Sequence, residues 1–213
     1  MRTDELIQSL TADFRPVSPL SCNRGIIVSL AVGGAVALLL LDFGLGGRMD
    51  FGLATHGWSL WVKWLYTAPT CVGAIIAVQA LSRPAVTLPS SSFAAILSIV
   101  MLASMAASEM SHSAISIWPS LWLGQSWRAC TWRILLLSIP IFAAVIWKVR
   151  QAAPTRLRLA GAAVGLASAA AAATLYAIGC AETSACFILA WYSLAIAVSA
   201  TAGALLGPAL LRW

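Results

Sequence analysis

Hydrophobic and polar positions alternate along this chain in long blocks, not in the short periods of a soluble fold. Six mostly apolar blocks stand out: about Gly25 to Leu41, Trp61 to Leu81, Ser90 to Ala107, Thr131 to Trp147, Leu157 to Ile178 and Cys186 to Leu206. About 20 such residues cross the hydrocarbon of a bilayer, so each block predicts a transmembrane helix. Pro69 and Pro140 lie inside the second and fourth and predict kinks. The opening stretch, Met1 to Phe14, has a different pattern. At about 100° per residue, Leu6, Ile7, Leu10 and Phe14 share one narrow face. Thr3 can cap such a helix, Asp4 and Glu5 suit its positive end, and Pro16 ends it at Arg15. A helix this short is marginal alone in water. Its apolar face needs the membrane surface, the rest of the chain or another protein. The predicted organisation is all-α and polytopic: a tail over 1–24, then a six-helix transmembrane domain over 25–213.

Composition agrees. The 213 residues are 61% hydrophobic and 9% charged, with a mean hydropathy of +0.90. A soluble domain carries about 25% charged residues. The formal charge of +6 does not point to nucleic acid, because the bases flank the apolar blocks as topogenic signals do. With the N-terminus inside, Arg2, Arg15, Arg24, Arg83, Lys148, Arg150, Arg156, Arg158 and Arg212 lie within. Arg48, Lys63, Arg128 and Arg133 then lie outside, nine bases against four. The positive-inside rule places both termini in the cytoplasm. The first block follows Asp4, Glu5 and Asp13 and precedes no A-x-A site, so it is expected to stay as a span, not as a cleaved signal.

The outer loops are the longer ones. Asp42 to Leu60 is Gly-rich and holds Arg48, Asp50 and His56. Ser108 to Cys130 holds Trp118, Trp122 and Trp127, as an interfacial segment on the outer leaflet would. Gly161-x-x-x-Gly165, continued by Ala169 and Ala173, and Gly203-x-x-x-Gly207 form small-residue stripes on the fifth and sixth spans. Such stripes let backbones approach closely. Packing of these two spans within one molecule is the plainer reading, and dimerisation is the other.

No Asp or Glu falls inside a predicted span. Asp42, Asp50, Glu109 and Glu182 belong to outer ends or loops, and Gln79 sits near an inner end. That pattern argues against a proton-coupled transporter. Both histidines, His56 and His112, fall in outer loops, which argues against an intramembrane serine protease, and no enzyme activity is expected. The outer side does gather Cys130, Cys180, Glu182, His112 and Glu109. The two cysteines are packed thiols, a disulfide between the fourth and fifth spans, or a sensing pair that is oxidised or takes a soft metal with Glu182 or His112 as extra ligands. Cys186 is a candidate third member. Cys22 and Cys71 read as boundary and core residues.

These pieces, in order, resemble the NrsF-type membrane anti-sigma factors over nearly the whole length. The opening Met1-Arg2-Thr3-Asp4-Glu5-Leu6-Ile7 is similar to that family's start. So are Arg48-x-Asp50 with Lys63, Trp127-Arg128-x-Cys130 with Pro140, Pro154 to Gly161 with Gly165, and Cys180, Trp191, Gly203 to Gly207 and Leu211-Arg212-Trp213. The resemblance implies a six-span protein whose cytoplasmic tail sequesters a sigma factor of the extracytoplasmic-function class. Leu6, Ile7, Leu10 and Phe14 would form the contacting face. Heavy metal or oxidant would act through two cysteines, here Cys130 and Cys180, with no resident cofactor. The expected partners are that sigma factor and membrane lipid. The alternative is a small-molecule transporter or channel subunit, which predicts a polar cavity at the midplane where an anti-sigma factor predicts a closed apolar bundle.

Overall fold

The computed structural model describes residues 19–44, 58–82, 92–152 and 154–212. The tail face Leu6, Ile7, Leu10 and Phe14 lies outside them, as do Arg48, Asp50, His56 and most of the first long loop. The described chain runs α1 (Pro19–Gly44), α2 (Trp58–Leu81), α3 (Ser92–His112), a 3₁₀ turn (Ile115–Ile117), α4 (Trp118–Leu123), α5 (Trp127–Arg150) and α6 (Leu157–Tyr176). It ends with α7 (Ala185–Phe187), which continues through a π-helical turn (Ile188–Tyr192) into α8 (Ser193–Leu210). All the described elements are helical. Six helical stretches are long and apolar enough to cross a membrane. A 24-residue helix such as α2 spans about 36 Å, against about 30 Å of hydrocarbon.

The six blocks read from the sequence each carry one of these stretches, with ends that differ where polar side chains continue a helix. α3 runs on to His112, so Glu109 belongs to a helix and not to a loop. The segment expected as an outer loop after it is ordered. Ile115–Ile117 and α4 fill it, and Gly124 turns the chain into α5 with φ of 55°. A side chain at Gly124 would also run into Phe187 and Glu182. Glycine is therefore required there by conformation and by space.

α6 is the central helix. Of its apolar stretch 67% is buried, against 22% for α1 and 17% for α3. The sequence explains the position. Ala160, Ala163, Ala167, Ala170 and Ala173 are buried, and small side chains allow neighbours on several sides. The closest neighbour is α8, antiparallel to it. A Cβ on Gly161 would meet the carbonyl of Gly203, and one on Gly165 the carbonyl of Ser199. One on Gly207 would lie 2.5 Å from the Leu157 carbonyl oxygen. Ser199 Oγ donates to the Gly165 carbonyl at 2.9 Å. The two stripes thus face each other inside one molecule. α1 packs in the same manner on α5: a Cβ on Gly33 would lie 2.6 Å from Ile141 Cα and 3.1 Å from the Pro140 carbonyl oxygen.

Gly165→Leu is expected to be severely destabilising. Overpacking an ordinary core costs about 1–3 kcal/mol, and here the obstacle is backbone, which cannot swing aside. Gly34 makes the control, since nothing lies within 4 Å of its Cβ position. Thermal unfolding in detergent, followed by tryptophan fluorescence, should show a large fall for Gly165→Leu and little change for Gly34→Leu. Equal falls would mean that the α6–α8 contact is not the close one described.

Candidate functional site

The polar chemistry of the described bundle collects at one end, where α2, α5 and α8 begin and α6 finishes. Cys130 is the fourth residue of α5 and is fully buried. Cys180 follows the end of α6 by four residues and is 9% exposed. α5 and α6 form an antiparallel hairpin, which returns the chain to the same end. The two thiols are free and close enough to act on each other electrostatically. The Cys180 thiol is held below its usual pKa, first by the hydrogen bond from Cys130, against the desolvation that opposes it. The Lys63 charge and the Tyr192 hydroxyl then add to the lowering.

Lys63 has a role that its place among the expected outer bases does not reveal: it sits in the second turn of α2 at 1% exposure. Its Nζ donates to the Cys180 carbonyl oxygen at 2.5 Å and reaches the Cys180 sulfur as well. Burying an ammonium costs on the order of several kcal/mol even after relaxation, so its surroundings must compensate. The groups within electrostatic reach that can carry negative charge are Cys180, Cys130 and Glu182. No sequence signal separates such a lysine from an interfacial one, because both stand at the start of a span.

Tyr192 closes the site. It is fully buried, and its hydroxyl finds no hydrogen-bond partner of ordinary geometry among the described residues. The group it faces is the Cys180 sulfur. The π-helical turn carries it there, since one extra residue in the turn re-aims the side chains that follow. Tyr176 stacks beside it with ring centroids 6.3 Å apart, and Arg133 faces the Tyr176 hydroxyl. The turn itself is braced from both sides. Thr131 Oγ1 donates to the Trp191 carbonyl at 3.3 Å, and Trp191 Nε1 donates to the Trp122 carbonyl at 2.8 Å. Trp127 packs on Trp191 at 5.2 Å, with the Arg128 guanidinium 4.8 Å above the Trp127 ring.

The acidic residues hold backbone. Glu182 Oε1 accepts from Gln125 N at 2.8 Å, Ser126 N at 3.0 Å and Ser126 Oγ at 2.9 Å, fixing the turn into α5. Glu109 Oε2 accepts from Ala185 N at 2.8 Å and Cys186 N at 3.3 Å. It satisfies the free donors at the start of α7, where the helix dipole favours an acid.

One expectation is corrected. Cys186 is not a third member of the pair: its Sγ donates to the Ala106 carbonyl at 3.5 Å, toward α3. His112 is exposed and bonded through Nδ1 to the Ser108 carbonyl at 2.8 Å, within its own helix. Among the described residues no group of three or more His, Cys, Asp or Glu side chains is placed to hold a metal ion. Cys130 and Cys180 form a thiol pair beside the buried Lys63. Cys71 is partly buried between α2 and α6, its Sγ 4.0 Å from the Ala167 carbonyl oxygen, in line with a core reading. The Cys22 side chain lies outside the described residues.

No solved structure matches the chain. The chain is 38% identical over 218 residues to the anti-sigma-F factor NrsF of Caulobacter vibrioides (strain NA1000 / CB15N), covering 100% of both. It is 36% identical over 213 residues to the probable anti-sigma-F factor NrsF of Azospira oryzae (strain ATCC BAA-33 / DSM 13638 / PS), again covering 100% of both. The family model described as NrsF, negative regulator of sigma F, matches residues 10–213. With full-length relatives above a third identical and a family match over nearly the whole chain, this protein belongs to the NrsF family.

Proposed function

We propose that this protein is a membrane-bound anti-sigma factor. Its bundle sits in the bacterial inner membrane with both termini in the cytoplasm, and its tail, residues 1–24, sequesters a sigma factor of the extracytoplasmic-function class. Stress chemistry at the Cys130–Cys180 end releases the partner. The observation that carries this reading is the full-length likeness to two proteins named as anti-sigma-F factors. The bundle is consistent with it. Two grooves on its surface, between α5 and α8 and among α1, α2 and α6, are lined almost wholly by apolar side chains, as lipid contact requires. The thiol pair and the last residues of α8 lie at opposite ends of the bundle, so a signal at the pair would act across it.

A two-hybrid test of residues 1–24 against the extracytoplasmic-function sigma factors of the same genome is expected to give a positive pair. Reporter fusions after Gln151 and after Trp213 should both read cytoplasmic. An external reading at either point would remove the tail from any cytoplasmic partner and overturn the assignment.

A further inference from the structure

We infer that Lys63 and Tyr192 form a built anion site for the Cys180 sulfur, which rests as a thiolate with Cys130 as its thiol donor. Three donor groups lie within electrostatic reach of that one atom. The ammonium of Lys63 is anchored by the Cys180 carbonyl at 2.5 Å and reaches the sulfur. Cys130 donates its S–H. The Tyr192 hydroxyl, fully buried and otherwise unpartnered, faces the same sulfur. A neutral thiol is a weak acceptor and would leave both the ammonium and the hydroxyl poorly satisfied. A thiolate satisfies all three. Glu182 is the other anion within reach of Lys63, but its Oε1 is engaged by Gln125 and Ser126. Arg133 is the remaining nearby cation, and it faces Tyr176. Lys63 thus has two anions within reach, the Cys180 thiolate beside its anchor and the Glu182 carboxylate held by Gln125 and Ser126.

This arrangement assigns unequal roles. Cys180 is the nucleophile and is 9% exposed; Cys130, fully buried, is its donor. Lys63 and Tyr192 are positioning residues. Any reagent that consumes the thiolate changes both charge and bulk beside the Lys63 ammonium, on the helix that begins at Trp58. Lys63 deepens the sensing role proposed above. Because the readout below is thiol chemistry and not sigma release, one can fail without the other.

The test uses the full-length protein in detergent with Cys22, Cys71 and Cys186 replaced by Ala, so that the pair holds the only thiols. Iodoacetamide is the probe: the Cys180 sulfur displaces iodide, forming an S–CH₂ bond, and iodide leaves with the electron pair. Labelling of the Cys180 peptide is followed by mass spectrometry as a function of pH. Restricted access slows the rate at every pH and does not move the inflection. The expected inflection lies at least about one unit below the ordinary cysteine value of about 8.5. Lys63→Met should raise it by about one unit or more, and Tyr192→Phe by less. Lys63→Arg, which keeps the charge, should hold it low. An inflection at or above the ordinary value in the parent protein overturns the inference. So does an unchanged inflection in a Lys63→Met protein that elutes as the parent does on size exclusion. If Lys63→Met does not accumulate, the parent, Lys63→Arg and Tyr192→Phe profiles decide by the same criteria.

Discussion

Replacing Leu10 by Asp is expected to free the sigma factor while leaving the protein in the membrane. Transcription from a sigma-dependent reporter should rise to the level of a strain lacking the protein, and membrane fractions should hold the usual amount of it. The tail proposed to bind is short, and a segment of this kind is marginally helical alone. Ordering it on the partner costs about 2–5 kcal/mol. Burial of Leu6, Ile7, Leu10 and Phe14 must exceed that cost, at about 1.5–3 kcal/mol for each large side chain. Removing one anchor and placing a carboxylate in its pocket takes away more than one such share. A loss of about 3 kcal/mol lowers affinity by more than a hundredfold. Gln8 lies on the opposite face of the predicted helix, and Gln8→Ala should leave repression as it was. If Leu10→Asp still represses, the helix-in-groove mode is wrong.

The bundle was largely legible in the sequence because its signals are long and one-dimensional. Length and apolarity locate a span without any knowledge of its neighbours. The α6–α8 contact was legible too, since small residues at Gly161, Gly165, Gly203 and Gly207 have few other uses in lipid. The hairpin rule brought Cys130 and Cys180 to one end. What stayed hidden depends on rotation about a helix axis. Lys63 reads as an interfacial base until its turn of α2 is seen facing the core. Glu109 reads as a loop acid because Ser108, Ser111, His112 and Ser113 surround it. It is in fact the acceptor that lets α7 begin inside the bundle. The π-helical turn has no sequence mark. By adding one residue it sends Tyr192 toward Cys180, while Cys186, only six residues beyond Cys180, faces α3. Spacing along the chain could not have separated those two thiols.

The double change Cys130→Ser with Cys180→Ser is expected to leave basal repression intact and to abolish release under oxidant stress. Serine is nearly isosteric with cysteine, and two serines here can hydrogen-bond to each other, to Lys63 and to Tyr192. Burial of their hydroxyls is therefore compensated, and the full penalty of about 1–3 kcal/mol for an unpaired polar group does not apply. The protein should accumulate normally. A serine at 180 stays neutral near pH 7 and is not oxidised, so the chemistry proposed for the pair has nothing to act on. For release to follow from that chemistry, consuming the thiolate must favour a second arrangement of the bundle in which the tail binds sigma less well. The structure offers a physical reason for such a bias. An oxygen or adduct on the Cys180 sulfur adds bulk beside the buried Lys63 and Tyr192, and α2 could relieve the crowding by shifting, whereas a serine leaves both where they are. The single change Cys180→Ser should abolish release as fully as the double one. Cys130→Ser keeps the nucleophile and should weaken the response without removing it. The measurement is a sigma-dependent reporter with and without oxidant, read beside the amount of protein in the membrane. Poor accumulation with constitutive transcription would mark the pair as a structural element. Normal repression with a normal response in the double variant would reduce Cys130 and Cys180 to packed thiols and place the sensor elsewhere in the chain.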